Sequence, residues 1–157
     1  MEVRDALASE VTHLARLWHA GWQDAHADLL PEELKRIRTP VSFERRVREM
    51  LADTRVVGPP GAARGLCMMK EDELNQLYVA PEARGAGAAA LIADAEQRLA
   101  AQGAPLIWLA CAIGNDRAAR FYEKSGWRNA GIVTIQLDMP DGSLLALDIW
   151  RYEKALR

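Results

Sequence analysis

Residues 77–92 read LYVAPEARGAGAAALI, which is a short apolar strand, a glycine-containing turn and the start of a helix. Gly85 and Gly87 lack the Cβ atoms that would keep a ligand from the backbone, so successive amide N–H groups can turn toward one anion. The first N–H groups of the following helix have no intrahelical acceptor and carry the positive end of the helix dipole. This stretch therefore predicts a binding site for phosphate or pyrophosphate.

A second motif follows the strand that comes after this helix, where residues 115–127 read NDRAARFYEKSGW. It resembles the Asn-x-x-Ala-x-x-Phe-Tyr-x-x-x-Gly-(Phe/Trp) helix of the GCN5-related N-acetyltransferase (GNAT) superfamily. The turn carries that superfamily's (Gln/Arg)-x-x-Gly-x-(Gly/Ala) signature as Arg84, Gly87 and Ala89. The resemblance covers residues 73–128 and rests on two motifs in the expected order.

The resemblance implies an α/β fold of three layers (α+β): a mixed, mostly antiparallel sheet with a central parallel strand pair and helices on both faces. It also implies acetyl-coenzyme A (acetyl-CoA) as the co-substrate. The pantetheine arm would pair with the backbone near Leu77 and Val79, and the pyrophosphate would bind the main-chain N–H groups of the turn. The coenzyme-binding residues implied in this way are Leu77, Tyr78, Val79, Arg84, Gly85, Ala86, Gly87, Ala88, Ala89 and Asn115.

Tyr122 lies seven residues after Asn115, about two helical turns, so both can face the end of the cleft where the thioester would lie. A phenol of pKa ~10 can protonate a leaving thiolate of pKa ~8.5 with a modest uphill step. Tyr122 is therefore the predicted general acid. The alternatives are that Tyr122 only packs its helix on the sheet and that Asn115 only caps that helix.

The acceptor amine must lose a proton, because an alkyl ammonium of pKa ~10.4 is almost entirely charged at pH 7. Some members of the superfamily place a glutamate on the strand before the turn, and Glu73 occupies the matching position. Glu73 is the predicted general base, acting through a water, and Asp148 and His26 are its alternatives. Residues 71–73, which read EDE, also fit a solvated strand entry without a catalytic role.

Composition sets the broad class of the protein. With 157 residues and a net charge of −2, the chain predicts a single globular domain over residues 1–157, without nucleic acid or membrane as a partner. Cys67 and Cys111 lie in apolar runs without metal-ligand spacing, so we expect free thiols and no metal. The absence of a signal peptide favours the cytoplasm. The expected partner is a small-molecule or peptide primary amine, and association into a homodimer is left open.

Periodicity predicts the remaining elements. A first strand spans residues 1–6, and a helix follows whose apolar face is Val11, Leu14, Ala15, Trp18 and Trp22. Two short helices begin near Pro31 and Thr39, and the last two strands form a hairpin around an Asp-Gly turn. Strict alternation in strand 73–79 would put Glu73, Asn75, Leu77 and Val79 on one face, opposite Leu74, Gln76 and Tyr78. The apolar run 106–111 is expected to be covered on both faces.

Two features of the N-terminal third have two interpretations each. Trp22 either anchors its helix on the sheet or lines an acceptor pocket together with His26. A basic cluster between residues 35 and 55 either attracts an anionic substrate or the coenzyme phosphates, or forms a solvated helix face. Its members are Lys35, Arg36, Arg38, Arg45, Arg46, Arg48 and Arg55.

The predicted function is therefore direct acetyl transfer to a primary amine in a ternary complex, since neither motif contains a cysteine for a covalent intermediate. One alternative is a non-catalytic module that binds acetyl-CoA or CoA. Another is a dinucleotide-dependent oxidoreductase, because Gly85, Gly87 and Ala90 also fit a loose dinucleotide fingerprint. In that enzyme class the glycine turn follows the first strand, and an acidic residue ends the next strand. Here the turn lies past the middle of the chain, and residues 106–113 contain no acidic residue.

Overall fold

The chain folds into one sheet covered by helices, because segments with the apolar pattern of a strand alternate with segments that have the pattern of a helix. The computed structural model describes residues 1–26 and 28–157. In this part of the chain the strands are β1 (Val3–Asp5), β2 (Thr54–Val57), β3 (Gly65–Lys70), β4 (Glu73–Val79), β5 (Leu106–Ala112), β6 (Arg128–Asp138) and β7 (Leu144–Ala155). The helices are α1 (Val11–His26), α2 (Glu32–Ile37), α3 (Pro40–Glu49), α4 (Ala86–Ala101) and α5 (Asp116–Lys124), with 3-10 turns at Ala8–Glu10, Leu51–Asp53 and Pro81–Ala83.

The described residues form a seven-stranded sheet in the order β1-β2-β3-β4-β5-β7-β6. Every neighbouring pair is antiparallel except β4 and β5, which are parallel because the connection through α4 crosses over the sheet. One core forms where Trp18 of α1 and Phe43 of α3 pack against β3, and the other where Leu91 and Leu99 of α4 pack against β5. The predicted mixed sheet with helices on both faces is confirmed.

The predicted helix boundaries are confirmed by their capping contacts. Thr39 Oγ1 accepts a hydrogen bond of 3.2 Å from the amide of Ser42 at the start of α3. Asn115 Oδ1 accepts one of 3.3 Å from the amide of Ala118 at the start of α5. These side chains satisfy N–H groups that have no acceptor within their own helix.

A bulge in β4 breaks the predicted alternation. The consecutive residues Met68 and Met69 of β3 pair with Gln76 and Leu74 of β4. Asn75, which lies between those two, is left without a paired residue in β3. Leu74 consequently packs in the same core as Leu77, whereas Tyr78 packs in the other. The expectation that Leu74 lies opposite Leu77 is wrong, because one extra residue shifts the two-residue period.

β5 is covered on one face only. Its residues Ile107, Leu109 and Cys111 are buried, whereas Leu106 and Ala110 are exposed. The expectation that the apolar run is covered on both faces is wrong, because α1 packs against β3 and β4 on that side of the sheet. The continuous apolar run therefore predicted the strand correctly but did not predict which of its faces is buried.

The parallel strands separate soon after they meet. Their pairing in the described residues is confined to Glu73 and Trp108, next to a 3.2 Å hydrogen bond from the Trp108 amide to the carbonyl of Asp72. Both strands continue in the same direction for several residues. A gap therefore opens between the carboxyl ends of β4 and β5, at the middle of the sheet.

The C-terminal hairpin is also confirmed. β6 and β7 pair antiparallel, and the turn between them is closed by a 2.9 Å hydrogen bond from the Met139 amide to the carbonyl of Ser143.

Cys67 and Cys111 are buried free thiols. Across the described part of the chain, none of the helices combines the length and apolar character that crossing a membrane would take.

Candidate active site

Two cavities lie beside the gap between β4 and β5. The first has a volume of about 270 Å³ and begins at the glycine turn, and we call it the turn cavity. The second has a volume of about 280 Å³ and lies among α1, α2, α3, α5 and the strands β4 to β7. We call it the arginine cavity because Arg38 and Arg46 line it.

Gly85 positions the backbone donors of the turn cavity. It precedes α4 with φ of +88°, in the region of backbone space that favours glycine. Among the described residues no acceptor is found for the amides of residues 85–88, and the first satisfied amide is that of Ala89, which donates to the carbonyl of Gly85 at 2.9 Å. These free N–H groups and the positive end of α4 favour an anion.

Gly87 has a different role from the predicted one. A Cβ built on it would lie 3.1 Å from the Cβ of Ala83 and 3.4 Å from the Sδ of Met1. The expectation that its missing Cβ leaves room for a ligand is wrong, because that direction leads into the protein. Gly87 is buried, whereas Ala86 and Ala89 are exposed, and none of the three side-chain positions lines the turn cavity.

An ion-pair cluster lies at the turn cavity. Asp24 of α1 accepts hydrogen bonds from Arg84 Nη2 at 3.1 Å and from Arg117 Nη2 at 3.0 Å, and all three residues line the cavity. The guanidinium groups belong to the two sequence motifs, on the glycine turn and on α5. The carboxylate of Asp24 thus occupies a position between two cations that could instead bind a phosphate.

The edge of β4 supplies further backbone donors and acceptors. The amide of Ala80 donates to the carbonyl of Arg64 at 2.7 Å, on the side of β3. Because backbone groups alternate along an antiparallel strand, those of Val79 and Leu77 point the other way, toward the gap. Leu77, Tyr78 and Val79 line the turn cavity, as does the predicted Ala88.

Tyr122 and Asn115 lie at the junction of the two cavities. Both residues line the turn cavity and the arginine cavity, together with Leu77, Tyr78 and Ala118. The Tyr122 side chain is 9% exposed, and burial raises the pKa of its phenol well above the ordinary value. Its hydroxyl is therefore protonated at neutral pH. Asn115 caps α5 as one interpretation requires, and it also borders both cavities.

Comparisons with known proteins agree with this geometry. Residues 61–127 match the model of the acetyltransferase (GNAT) family. An uncharacterised N-acetyltransferase of Mycobacterium bovis is 38% identical over 86 residues, which are 54% of this chain and 54% of that protein. Over these matched residues the chain resembles the GNAT acetyltransferases. It spans about half the length of the curated relatives that it matches.

Solved structures of GNAT proteins share the fold. A GCN5-related N-acetyltransferase from Rhodopseudomonas palustris superposes with a TM-score of 0.72 and 23% identity, over 98% of this chain and 94% of that one. A PaiA N-acetyltransferase from Thermoplasma acidophilum, in complex with coenzyme A, gives a TM-score of 0.67 and 18% identity over 98% of both chains. The family match contains both sequence motifs and favours the GNAT interpretation over the dinucleotide-dependent oxidoreductase.

The three candidate bases differ in position. Glu73 lines the arginine cavity, accepts a 3.1 Å hydrogen bond from Asn75 Nδ2, and has a pKa raised by burial. His26 lines the same cavity, and burial lowers the pKa of its imidazole. Asp148 is exposed, accepts a hydrogen bond from Thr134 and lines neither cavity. Their positions therefore leave Glu73 and His26 as candidate bases and argue against Asp148.

The basic cluster divides into two groups. Trp22 and His26 line the arginine cavity with Arg38 and Arg46, so the solvated-face interpretation is wrong for these two arginines. The other five basic residues lie outside both cavities. The sequence carried a signal for the exception, since Arg46 follows Phe43 by three residues and so falls on the buried side of α3.

The described residues give little support to a cysteine nucleophile or to a cluster of metal ligands. Cys111 lines the arginine cavity, but burial raises the pKa of its thiol to about 12, so the nucleophilic thiolate is scarce. Within residues 1–26 and 28–157 no group of three or more His, Cys, Asp or Glu side chains is arranged to hold a metal ion.

Proposed function

We propose that this protein is an acetyl-CoA-dependent N-acetyltransferase that transfers the acetyl group directly to a primary amine while both substrates are bound. The observation that carries the proposal is the location of Tyr122 and Asn115 where the turn cavity meets the arginine cavity. A coenzyme entering from one side and an amine from the other would meet at the same phenol. The proposal includes a single domain over residues 1–157 in the cytoplasm.

The turn cavity fits the coenzyme. The free amides of residues 85–88, with Arg84 and Arg117, offer donors and positive charge to a diphosphate. The backbone groups of Leu77 and Val79 offer the amides of the pantetheine arm a strand edge to pair with. Bound acetyl-CoA would supply an acetyl thioester, whose carbonyl is activated for attack by an amine. The coenzyme A complex of the PaiA N-acetyltransferase, a protein of the same fold, supports this ligand class.

Tyr122 is the proposed general acid. Burial raises the pKa of its phenol, so the residue keeps its proton at neutral pH and still carries it when the thiolate forms beside it. A thiolate in the same desolvated place would have its pKa raised by the same cause. The difference between the two groups then stays close to the ~1.5 units that separate a phenol from a thiol in water. Tyr122 can therefore protonate the leaving sulfur with a small uphill step.

Glu73 is the proposed general base. Burial raises the pKa of its carboxyl, so it binds a proton more readily near neutral pH than an exposed glutamate. It would take the proton of the ammonium group, through a water, before the amine attacks. His26 is the alternative base, because burial lowers its pKa and leaves the imidazole neutral and able to accept a proton. Transfer without a covalent intermediate is consistent with the protonated thiol of Cys111.

Thermal unfolding with acetyl-CoA, CoA and NAD in parallel tests the coenzyme. A ligand at 100 times its dissociation constant stabilises the folded state by about 2.7 kcal/mol, so the two CoA species should raise the melting temperature and NAD should not. Thiol release with a panel of primary amines then tests the transfer. Stabilisation by NAD alone would reject the proposal. Stabilisation by CoA without thiol release for any amine would favour the non-catalytic binding module.

A further inference from the structure

The arginine cavity contains an excess of positive charge. The charged side chains that line it are Arg38, Arg46 and Glu73. Burial lowers the pKa of both guanidinium groups, that of Arg46 to about 10, so both still carry their charge at pH 7. Burial also raises the pKa of the one carboxyl. Two cations therefore face the cavity with at most one anion to balance them.

Neither arginine forms an ion pair within the described residues. Basic residues nearby form ion pairs, Arg48 with Glu44 at 2.7 Å and Lys35 with Glu32 at 3.2 Å. Arg46 on α3 and Arg38, the residue after α2, form none in the described part of the chain. Nη1 of Arg46 is buried and lacks a hydrogen-bond partner among these residues. A buried guanidinium donor without an acceptor is costly, and a ligand oxyanion would remove that cost.

Arg46 is also held in place before a ligand arrives. Its guanidinium carbon lies 4.2 Å from the ring centroid of Trp18 and 5.4 Å from that of Phe43, and both rings are fully buried. Stacking on fixed aromatic rings limits the rotamers that the side chain can adopt. A planar group fixed in this way is ready to bind a carboxylate, or a related oxyanion, without a further loss of side-chain entropy.

These two arginines are separate from the coenzyme phosphates. Arg38 and Arg46 line the arginine cavity and not the turn cavity, where Arg84 and Arg117 lie. The anion that they attract therefore belongs to the other substrate. With a volume of about 280 Å³, the cavity suits a small molecule rather than a folded partner.

We propose that Arg38 and Arg46 bind an oxyanion of the acceptor, so that the substrate is a small amine that also carries a carboxylate or phosphonate group. This inference rests on the proposed acetyl transfer and narrows its substrate class. The anionic group would lie at α2 and α3, and the amine would lie at the junction near Tyr122. Glu73, on β4, provides the opposite charge that suits an ammonium group.

Matched acceptors test the proposal in thiol release. One set is L-leucine, L-leucinamide and 1-amino-3-methylbutylphosphonate, and a longer pair is 5-aminopentanoate and 5-aminopentanamide. We expect kcat/KM for an anionic member to exceed that of its amide by about 10-fold to 100-fold, the range for a charged hydrogen bond. The leucine set is a stringent test, because the amide has the less basic amine and more of it is neutral. The two anions of this set distinguish carboxylate from phosphonate.

Variants assign the effect to the arginines. Arg46→Met keeps an apolar stem over Trp18 and removes the charge, and we expect it to lower the ratio of anionic to amide kcat/KM at least about tenfold. Arg38→Met should lower the same ratio, in case Arg46→Met folds poorly. Arg45→Met, at an exposed position of α3 beside Glu49, should keep the wild-type ratio. A wild-type ratio of one or less in both sets, or a ratio unchanged in both cavity variants, would overturn the proposal.

A binding measurement separates this inference from the proposed function. Calorimetry with the CoA-loaded protein should show heat for L-leucine or 5-aminopentanoate, none for the matching amide, and none for either in Arg46→Met. This pattern without thiol release would support the anion site and reject acetyl transfer. Equal binding of acid and amide, or no binding of either, would reject the anion site whatever the thiol assay gives.

Discussion

The turn cavity and the arginine cavity have similar volumes but are built from different parts of the chain. The turn cavity obtains its donors from the main chain of one contiguous stretch, residues 77–88, with Arg84 and Arg117 beside it. The arginine cavity obtains its polar groups from side chains on α1, α2, α3 and β4, which are far apart in sequence. A main-chain site tolerates most substitutions that do not fill it, whereas a side-chain site changes its ligand with each residue.

The largest effect is expected where the two cavities meet. Tyr122→Phe removes the proton donor and leaves the ring, so turnover should fall about 10²- to 10⁴-fold while the affinity for CoA is retained. Tyr152→Phe is the matched control, because this buried tyrosine donates to Glu123 and lines neither cavity. Steady-state kinetics and CoA titration measure the two quantities. Wild-type turnover in Tyr122→Phe would remove the residue from the mechanism.

The turn cavity should fail only when it is filled. Ala88→Trp places an indole in the cavity, and it should abolish the stabilisation of about 2.7 kcal/mol that CoA at 100 times its dissociation constant gives the wild type. Ala100→Trp, at the exposed far end of α4, should keep that stabilisation. Both are read from melting temperatures with and without CoA. A full CoA shift in Ala88→Trp would show that the coenzyme binds elsewhere. Gly87→Trp is unsuitable here, because its side chain would clash with Ala83 and destabilise the fold.

The arginine cavity should respond to a single carboxyl. Glu73→Gln should lower kcat/KM about 10²-fold at neutral pH, the low end of what a general base contributes. Burial raises the pKa of Glu73, so the wild type should lose activity as pH falls through a value above 4.5, when the base becomes protonated. That limb of the pH profile should be absent in Glu73→Gln. Asp148→Asn should keep it, and a limb retained in Glu73→Gln but lost in His26→Gln would assign the base to His26.

The smallest predicted effect is a gain in affinity for CoA rather than a loss. Asp24 accepts hydrogen bonds from Arg84 and Arg117, so its carboxylate competes with the coenzyme phosphates for both guanidinium groups. Asp24→Asn should therefore bind CoA more tightly, by up to about fivefold, the scale of an exposed ion pair. Titration at low and high salt checks the cause, because the gain should shrink as salt screens the charges. Weaker binding in Asp24→Asn would mean that the carboxylate orients the arginines instead.

Several structural features of the turn cavity could be predicted from the sequence because local rules produce them. Gly85, the start of α4 and the cap at Asn115 each follow from residues within one turn of the chain, and so does the spacing of Tyr122 from Asn115. The hairpin and the parallel pair were predicted from longer patterns, the two strands around an Asp-Gly turn and the crossover through a helix. The role of Gly87 was missed, because its Cβ would meet Ala83 on one side and, on the others, Met1 and Val57, which are distant in sequence.

The arginine cavity was predicted only in part for the same reason. Arg38 and Arg46 were recognised as members of a basic cluster, but their separation from the solvated members depends on how α2 and α3 pack over Tyr78 and the sheet. Asp24 gave no local signal, since its two partners are distant in sequence. The bulge at Asn75 and the open face of β5 were missed, because strand periodicity does not say where pairing shifts or where covering helices stop.

The separation of β4 from β5 has a consequence for how firmly the molecule holds together. Two strand edges in the middle of the sheet lack the ladder that would tie its N-terminal and C-terminal parts. A pantetheine arm lying between them would act as a missing rung, so loading the coenzyme should slow amide hydrogen exchange on both edges at once. The empty protein would then be the form most exposed to pairing with strands of other chains, and the ligand would double as its protection against aggregation.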